Sequence, residues 1–279
     1  MKFDVNHPEI VDAVRRALAE DIGPGDITST ACVSEIRLAG GRFVAKERLV
    51  VAGVDLLPLI YTERGGMDEL NIETESGAWV EAGTPLAWVR GRARAMLECE
   101  RVALNFLQRL SGVATMARHY ADEVSGTKCR ILDTRKTTPG LRRLEKLAAA
   151  AGGVSNHRMG LWDAVLIKNN HIAAAGGVRT ALERCAQLGP PVEIEVRSEA
   201  ELEEALACGA KHLLLDNLTP EVAARWIQRI DGRATVELSG GITLANVRAY
   251  AEAGPDFISC GAITHSAPAV DINFRIELD

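Results

Sequence analysis

The chain has 279 residues, of which 47% are hydrophobic and 25% are charged, and its formal net charge is −6. This composition is that of a folded globular protein of one or two domains, and it excludes an intrinsically disordered chain. The acidic balance argues against a general nucleic-acid partner, because a phosphate backbone attracts a basic face. No apolar run is long enough to cross a bilayer and charged residues begin near the first position, so we expect a cytoplasmic protein.

The first part of the chain predicts a small domain that combines helices with an antiparallel sheet. Residues 8–20 carry apolar side chains at helical spacing and end in the Gly23-Pro24-Gly25 turn. Short β-rich runs separated by glycines follow at residues 42–45, 49–51, 71–74 and 86–89. Residues 94–118 then form one long helical segment that we expect to lead into a second domain.

From residue 129 onward, short apolar runs alternate with helical segments. The runs are residues 130–132, 164–167, 192–196, 212–215, 235–238 and 257–259. Continuous apolar strands separated by helices predict a parallel sheet that is covered on both faces. Six such strands fit either a doubly wound sheet or an incomplete barrel. We favour the barrel, because each run ends in a potentially reactive group and barrel enzymes build active sites at the carboxyl ends of several strands.

The groups at these strand ends include a concentration of positive charge. They are Asp133-Thr134-Arg135-Lys136, Lys168, Glu195, Asp216, Ser239-Gly240-Gly241 and Cys260-Gly261. Between Lys128 and Lys168, nine basic residues occur against three acidic ones, a local excess of six positive charges. Such a cluster is expected where a polyanion or paired acids neutralise it. A solvated basic helix is the alternative for Arg142, Arg143 and Lys146, but it does not account for the other cations.

The basic residues suit an anionic substrate. Arg135 offers a bidentate fork for a carboxylate or phosphate, whereas the adjacent Lys136 is a compact point charge. The alternative for both is a surface ion pair. Lys168 follows an apolar strand, and its alternative is a side chain that packs along the core and reaches water. His157 lies beside Arg158, but a lone histidine is more often structural than catalytic.

Glu195 and Asp216 are candidates for a different part of a substrate. As a pair they suit hydrogen bonds from ribose hydroxyls, and they suit Mg²⁺, which uses one or two carboxylates together with substrate phosphates. Salt bridges to the nearby cations are the alternative. The turns at Ser239–Gly241 and Gly261–Ala262 are expected to offer backbone N–H groups at helix starts, where a phosphate binds.

Motifs for other cofactors are missing from the sequence. Neither GxGxxG nor GxxxxGK[ST] nor HExxH occurs, so we expect no dinucleotide, no P-loop nucleotide and no metal bound by His157 and His171. The six cysteines are scattered singly, without a CxxC pair, which predicts reduced thiols that act as small apolar residues.

Several long strings in the same order resemble the quinolinate phosphoribosyltransferase family, and the likeness runs nearly end to end. They are residues 20–28, 100–101, 105–112, 133–140, 156–160, 166–172, 215–217, 239–242 and 267–271. The sequence departs from the family pattern at Val154, Trp162 and Asn169, where glycine, tyrosine and aspartate are common. None of these changes removes a proposed charged contact, although they leave substrate preference open.

The resemblance implies an α/β fold with two domains and a returning tail. An N-terminal α/β sandwich domain would occupy residues 1–112, and an open, incomplete α/β barrel of the type II phosphoribosyltransferase kind would occupy residues 113–265. Residues 266–279 would form a C-terminal tail that returns to the N-terminal domain.

The activity that the resemblance implies is a decarboxylating phosphoribosyl transfer in NAD biosynthesis. Phosphoribosyl pyrophosphate and quinolinate would give nicotinate mononucleotide, pyrophosphate and carbon dioxide. Mg²⁺ would accompany the phosphoribosyl pyrophosphate, and no redox cofactor would be needed. The protein would be a homodimer or an assembly of dimers.

The same resemblance assigns roles to residues along the whole chain. The implied substrate-binding residues are Arg101, Thr134, Arg135, Lys136, His157, Arg158, Lys168, Glu195, Asp216, Ser239, Gly240, Gly241, Gly261 and Ala262. Arg101 would reach the site from a neighbouring subunit. Lys136, Glu195 and Asp216 are the implied catalytic residues, and the two acids are also the implied Mg²⁺ ligands.

Within that set, the substrate groups are divided among the residues. Arg135, His157, Arg158 and Lys168, with Arg101, would bind the two pyridine carboxylates. Lys136 would lie close to both substrates, and Glu195 and Asp216 would face the ribose. The turns at Ser239–Gly241 and Gly261–Ala262 would bind the 5′-phosphate.

Three other functions fit parts of the same pattern. A related phosphoribosyltransferase would use another acidic acceptor. A Schiff-base lyase or aldolase would use Lys168 or Lys136 as its nucleophile. An anion-binding protein without enzymatic activity would bind phosphoribosyl pyrophosphate and leave it intact.

Overall fold

The structure is a computed structural model, and it describes residues 4–277. Residues 1–3 and 278–279, the outer ends of the predicted N-terminal domain and of the predicted tail, lie outside the described residues. The helices are α1 (Pro8–Ile22), α2 (Ile27–Cys32), α3 (Leu57–Thr62), α4 (Ala93–Glu123), α5 (Arg142–Ala151), α6 (Asn169–Ala175), α7 (Val178–Cys185), α8 (Glu199–Ala207), α9 (Pro220–Ile230), α10 (Val247–Glu252) and α11 (Ala262–His265). The strands are β1 (Leu38–Ala45), β2 (Leu49–Val50), β3 (Glu69–Ile72), β4 (Trp79–Val80), β5 (Pro85–Arg92), β6 (Arg130–Leu132), β7 (Val165–Ile167), β8 (Val192–Val196), β9 (His212–Asp216), β10 (Thr235–Ser239), β11 (Phe257–Ser259) and β12 (Ile272–Glu277).

The chain divides into two compact units. The first unit comprises Met1–Arg118, Thr137–Gly153 and Ile263–Asp279, and the second comprises His119–Lys136 and Val154–Ala262. This division differs from the predicted boundaries after residues 112 and 265, because the segment that contains α5 groups with the first unit.

A buried ion pair ties α5 to the first unit. Glu145 of α5 is fully buried, and one of its carboxylate oxygens accepts hydrogen bonds from Nε and Nη2 of Arg109 in α4, at 3.0 and 2.7 Å. Thr138 donates to the same carboxylate through its backbone N–H at 3.0 Å and through its hydroxyl at 2.7 Å. These bonds satisfy the buried charge, which would otherwise cost several kcal/mol.

The basic residues of α5 do not form a solvated face. Lys146 is fully buried, and Arg143 pairs with Glu9 of α1 at 2.8 Å. The alternative of a solvated basic helix around Arg142, Arg143 and Lys146 is therefore wrong for this segment.

The predicted first helix is confirmed as α1. Pro8 occupies its first turn, where a missing N–H costs nothing, and Ile10, Val14 and Leu18 bury one face. The helix ends at Ile22 and is capped by Gly23, whose positive φ of 52° suits glycine.

An antiparallel sheet in the order β12-β1-β5-β3 forms the centre of the first unit. Three of the predicted β-rich runs lie in this sheet as β1, β3 and β5, and the fourth is β2, which pairs with β4 in a separate two-stranded sheet. β12 pairs along β1 in a register that sets Phe43 opposite Phe274. The two rings lie with their centroids 4.6 Å apart. The last described strand of the chain is thus part of the first unit's sheet.

The long helical segment predicted at 94–118 is confirmed, and α4 extends it to Glu123. Ser111 on this helix is buried and exchanges hydrogen bonds with the backbone N–H and carbonyl of Ala52.

Within residues 4–277, no helix has the length and hydrophobicity needed to span a membrane.

The second unit contains all six predicted apolar strands in one parallel sheet. The order is β6-β11-β10-β9-β8-β7. A cavity of about 380 Å³ is lined by residues of all six strands, including Arg130 of β6 and Val165 of β7 at the two edges. A flat sheet cannot place both of its edges around one cavity, so the sheet is curved. No ladder joins β6 to β7 in the described part of the chain, which makes the barrel an open one.

The six cysteines are all free thiols. Cys99, Cys129 and Cys260 are buried, and burial raises the pKa of the Cys99 and Cys129 thiols to about 12. These three behave as the apolar residues that were predicted, whereas Cys32 is exposed.

Candidate active site

The carboxyl ends of the parallel strands gather the predicted site residues of the second unit at one end of its sheet. Thr134, Arg135 and Lys136 follow β6, Lys168 follows β7, Glu195 and Asp216 end β8 and β9, Ser239 to Gly241 end and follow β10, and Gly261 and Ala262 follow β11. His157 and Arg158 follow Ser155, which makes an isolated parallel bridge to Leu132 of β6. Arg101 is an exposed residue of α4 in the first unit.

Asp133 fixes the segment that carries His157 and Arg158. Its buried carboxylate accepts a hydrogen bond from the backbone N–H of His157 at 2.8 Å and one from Nδ2 of Asn156 at 2.7 Å. The backbone N–H of Asp133 donates to the carbonyl of Ser155 at 3.1 Å. Asp133 therefore holds a neighbouring loop in place at the end of β6.

Local side-chain bonds also shape the loops around the two lysines. The hydroxyl of Thr134 accepts the backbone N–H of Lys136 at 3.1 Å. Nδ1 of His171 accepts the backbone N–H of Lys168 at 2.9 Å and so caps the start of α6. His171 has a structural role in this position.

Arg135 and Arg158 bring two positive charges close together. Burial lowers the pKa of the Arg158 guanidinium, and the charge of Arg135 lowers it further. One arm of Arg158 is oriented by a 2.9 Å hydrogen bond from Nη1 to the carbonyl of Ala164. Two adjacent guanidinium groups repel each other, so this part of the site favours an anionic ligand.

His157 lies between Glu237, which is buried, and Glu193, which is partly buried. Its Nε2 is 3.6 Å from Oε2 of Glu193 and 3.5 Å from Oε2 of Glu237, and its Nδ1 accepts the backbone N–H of Arg158 at 2.7 Å. Burial by itself lowers the pKa of His157, but Glu193 and Glu237 outweigh that effect and raise the pKa to about 9. Burial also raises the pKa of Glu193.

The contacts at the two ring nitrogens of His157 favour opposite protonation states. The glutamates favour the imidazolium, whereas acceptance of the Arg158 N–H requires a lone pair on Nδ1 and hence the neutral ring. Protonation of Nδ1 therefore ends the contact with the backbone of Arg158 and turns Nδ1 into a donor. For His157 to bind a carboxylate through Nδ1, this exchange must take place.

His157, Glu193 and Glu237 also have the spacing of metal ligands. One ligand atom of each lies within 4.8 Å of the others. Both protonation states of His157 described above keep the proton on Nε2, however, and a proton there blocks a metal. The arrangement is better explained as a charge cluster of one imidazole and two carboxylates.

Arg197, which the sequence did not single out, connects the two predicted acids. Its Nη2 is 2.9 Å from Oε1 of Glu195 and 3.3 Å from Oδ2 of Asp216. Glu195 is buried, with 4% of its side chain exposed, and Asp216 is 13% exposed. Nδ2 of Asn217 also donates to Oδ2 of Asp216 at 2.6 Å. The salt-bridge alternative for Glu195 and Asp216 is thus realised, with a partner outside the predicted cations.

Gly240 allows a close approach between the ends of β9 and β10. Its φ is +95°, and a Cβ at this position would lie 2.2 Å from Oδ1 of Asn217. The backbone N–H of Asn217 donates to the carbonyl of Ser239 at 2.9 Å. A side chain at Gly240 would displace Asn217, which holds Asp216.

The expectation that both glycine turns begin helices is only partly correct. Ala262 is the first residue of α11, but α10 begins at Val247, well after the Ser239–Gly241 turn. The intervening loop is closed by its own bonds, because Asn246 donates from Nδ2 to the carbonyl of Gly241 and accepts the backbone N–H of Thr243. The turn after β10 is therefore a loop in its own right.

Two of the residues absent from the predicted set, Glu193 and Glu237, carry a signal that strand geometry explains. Glu193 and Glu237 are two positions before Glu195 and Ser239, and side chains two apart on a strand point to the same face. An acid within an otherwise apolar strand was therefore visible on the face of the predicted site. Arg197 and Asn217 follow directly after the predicted strand ends, but nothing local indicates which acids they contact.

Known proteins match this chain over almost its whole length. A family model for the quinolinate phosphoribosyl transferase N-terminal domain matches residues 26–111, and the model for the C-terminal domain matches residues 113–275. The chain is 43% identical over 273 residues to a nicotinate-nucleotide pyrophosphorylase [carboxylating] of Mycobacterium leprae, covering 95% of this chain and 96% of that protein. It is 37% identical over 297 residues to quinolinate phosphoribosyltransferase [decarboxylating] 1 of Nicotiana glauca, covering 98% and 84%.

Solved structures match as well. The crystal structure of the nicotinate-nucleotide pyrophosphorylase from Ehrlichia chaffeensis superposes with a TM-score of 0.93 at 35% identity, covering 99% of this chain and all of that one. Both halves of the sequence, the α/β fold and the strand-end site thus point the same way. The chain belongs to the quinolinate phosphoribosyltransferase family.

Proposed function

We propose that this protein transfers the phosphoribosyl group of phosphoribosyl pyrophosphate to quinolinate and releases pyrophosphate and carbon dioxide, giving nicotinate mononucleotide for NAD biosynthesis. The observation that carries the proposal is the pairing of a cationic group around Arg135 and Arg158 with the acids Glu195 and Asp216, all at one end of one parallel sheet. A dicarboxylate suits the first group, and a ribose suits the second.

Quinolinate binding is proposed for the cationic group. Arg135, Arg158 and Lys168, with the protonated form of His157, offer charge-assisted hydrogen bonds to two carboxylates on one planar ring. Asp133 and the carbonyl of Ala164 hold the segment of His157 and Arg158 in place. These cations are preorganised, so little reorganisation is needed when the dianion binds.

The ribose and phosphate are assigned to the ends of four strands, β8 to β11. Glu195 and Asp216 would accept hydrogen bonds from ribose hydroxyls, and Thr134 and Lys136, which follow β6, would also contact the substrate. The turns at Ser239–Gly241 and Gly261–Ala262 would bind the 5′-phosphate. As pyrophosphate leaves C1 of the ribose, positive charge develops on the ring, and the pyridine nitrogen attacks along a line set by the bound carboxylates.

Decarboxylation follows from the new bond. Once the pyridine nitrogen carries the ribose it is cationic, so it stabilises the electron pair that remains on C2 when the 2-carboxylate leaves as carbon dioxide. C2 then takes up a proton from solvent, which gives nicotinate mononucleotide. Lys136 and Arg135 would supply fixed positive charge during these steps and would form no covalent bond. The chemistry needs no redox cofactor.

The two acids also fit Mg²⁺. Carboxylate oxygens are ligands that Mg²⁺ prefers, and buried Oε1 of Glu195 receives no aligned hydrogen bond from the protein although Arg197 is nearby. Glu195 and Asp216 are the residues that would hold the ion. When bound, it would neutralise the leaving pyrophosphate.

The assembly and location are part of the proposal. A homodimer, or an assembly of dimers, would bring Arg101 of the partner subunit to the quinolinate carboxylates, since this exposed arginine lies on α4 of the first unit. The substrates and the free thiols suit the cytoplasm.

The first experiment is incubation of the purified protein with Mg²⁺, phosphoribosyl pyrophosphate and either quinolinate or nicotinate. We expect nicotinate mononucleotide and carbon dioxide from quinolinate alone, measured by chromatography and by release of labelled gas. Product from another acidic acceptor, with none from quinolinate, would favour a related transferase. Covalent trapping of a carbonyl substrate by borohydride would favour the Schiff-base lyase.

The site assignment is tested by Arg135→Ala. Loss of a charge-assisted contact to a carboxylate should weaken quinolinate binding by about 100-fold, which calorimetry can measure. Arg229→Ala is the matched control, because Arg229 is an exposed arginine on α9 that pairs with Glu199 and Glu203. Equal affinities in the two variants would remove Arg135 from the carboxylate site.

A further inference from the structure

Arg197 stands where a cationic ligand of the two acids would be. Its Nη2 lies within 3.3 Å of both carboxylates, and these contacts are the ones its guanidinium makes in the described residues. The carboxylates come from different strands, β8 and β9, which are hydrogen-bonded neighbours. One arginine therefore neutralises the pair that is proposed to hold ribose and Mg²⁺.

The contact between Arg197 and Glu195 is close but poorly directed. Oε1 of Glu195 is buried and receives no aligned hydrogen bond, even though Nη2 of Arg197 is only 2.9 Å away. The interaction is consequently mainly coulombic, and it leaves hydrogen-bonding capacity of a buried oxygen unused. A ligand that donates along the lone-pair direction would replace it favourably.

The two partners are held differently. The acids sit at the ends of strands, whereas 46% of the Arg197 side chain is exposed. The backbone of Arg197 is fixed by a 2.7 Å bond from its N–H to Glu201, whose own N–H is capped by Ser198 at the start of α8. Its guanidinium is held by the two acids. Because 46% of the Arg197 side chain is exposed, water can solvate the guanidinium when it leaves, and an incoming cation can then neutralise the buried acids in its place.

We propose that Arg197 is a resident counter-cation of the Glu195–Asp216 pair that is exchanged for the cationic end of the incoming Mg²⁺–phosphoribosyl pyrophosphate. This inference rests on the proposed function for the identity of the incoming ligand. Arg197 neutralises the two acids in the free protein. Because a divalent ion must displace it, Arg197 also sets how tightly the acids hold that ion. Arg197 is thus a positioning residue that tunes ion affinity.

The test is Mn²⁺ binding to the purified protein without substrate, followed by water-proton relaxation or calorimetry. Arg197→Ala should bind Mn²⁺ roughly fivefold to tenfold more tightly than the parent, because one competing positive charge is gone. Arg197→Lys, which keeps the charge, should stay near the parental affinity. The gain in Arg197→Ala should disappear when Asp216→Asn is added.

Arg229→Ala is the matched control for this experiment. Arg229 is 48% exposed and also bridges two carboxylates, those of Glu199 and Glu203, away from the strand ends. We expect its removal to leave Mn²⁺ affinity unchanged at the strand-end site. If Arg197→Ala bound Mn²⁺ no more tightly than the parent, Arg197 would not compete for the pair and the inference would be wrong.

The outcomes separate this inference from the proposed function. A difference in Mn²⁺ affinity without turnover of quinolinate would refute the proposed function and leave the role of Arg197 intact. Turnover of quinolinate, with equal Mn²⁺ affinities of Arg197→Ala and the parent, would support the proposed function and refute the role of Arg197.

Discussion

Two buried glutamates, Glu145 in the first unit and Glu195 in the second, are neutralised by arginines in very different ways. Glu145 is inaccessible to solvent and accepts four hydrogen bonds, two from Arg109 and two from Thr138. Glu195 is nearly as buried, yet Oε1 receives no aligned bond and its cation, Arg197, is half exposed. Equal burial therefore conceals a difference in how completely each charge is satisfied.

The difference separates a structural charge from one available to a ligand. Arg109 also donates to the carbonyls of Ala267 and Thr264, so it is fixed from several sides. A carboxylate saturated by such a group has nothing left to offer a substrate, and its removal should cost stability. A carboxylate left partly unsatisfied at a strand end costs stability in the free protein and gains partners when a ligand binds.

The largest expected effect is on the structural side of the comparison. Arg109→Met leaves the charge of Glu145 buried and partly unpaired, and we expect the free energy of unfolding to fall by about 3–5 kcal/mol in urea denaturation. Arg229→Met, which removes an exposed arginine, should cost about 1 kcal/mol or less. Equal losses in the two variants would mean that the Glu145 cluster does not stabilise the first unit.

The second largest effect is expected on catalysis, at Glu195. Glu195→Gln should lower kcat/KM for quinolinate turnover by about 100-fold, because an uncharged amide neither holds a divalent ion nor stabilises positive charge on the ribose. Its free energy of unfolding should stay within about 1 kcal/mol of the parent. Glu199→Gln, at an exposed position on α8, is the control for both measurements. A stability loss as large as that of Arg109→Met would place Glu195 with the structural acids.

A smaller effect is expected at the turn that supports Asp216. Gly240→Ala introduces a Cβ against Oδ1 of Asn217 at a φ of +95°, and should cost about 1–3 kcal/mol of unfolding free energy. Gly241→Ala is a matched control, since Gly241 has a φ of +63° with nothing within 4 Å of the added atom. A similar cost in both variants would mean that backbone strain alone, and no contact with Asn217, decides the outcome.

The smallest effect is expected at His157, which lies beside Glu193 and Glu237. Its pKa of about 9 keeps the ring positive below that pH, and the charge is lost as the pH rises through 9. Quinolinate affinity should therefore fall by roughly threefold to tenfold between pH 8 and pH 10, as measured by calorimetry. In His157→Gln this step should be absent. A decline of the same size in that variant would assign the titration to another group.

The fold could be read largely from the sequence because its signals are local. Apolar runs such as 212–215 and 235–238 are strands in the structure, and the polar residue at the end of each lies at the carboxyl edge because the strands are parallel. The family resemblance named the residues at that edge, and the matching family models support it. The roles of individual residues, including that of Arg101 in a neighbouring subunit, remain predictions.

The partners of each charge were decided by the tertiary structure alone. Arg109 and Glu145 are 36 positions apart and belong to different helices, so no local pattern pairs them. Residues 137–153, which contain Glu145, group with the first unit, whereas the sequence predicted them to be part of the barrel. Arg197 reaches Asp216 because β8 and β9 are neighbours in the sheet. Periodicity and turn residues are properties of a few consecutive positions, and they determine where strands and helices occur. The satisfaction of a buried charge depends on groups that only folding brings within hydrogen-bonding distance, and it decides which acids stabilise the protein and which are left for a ligand.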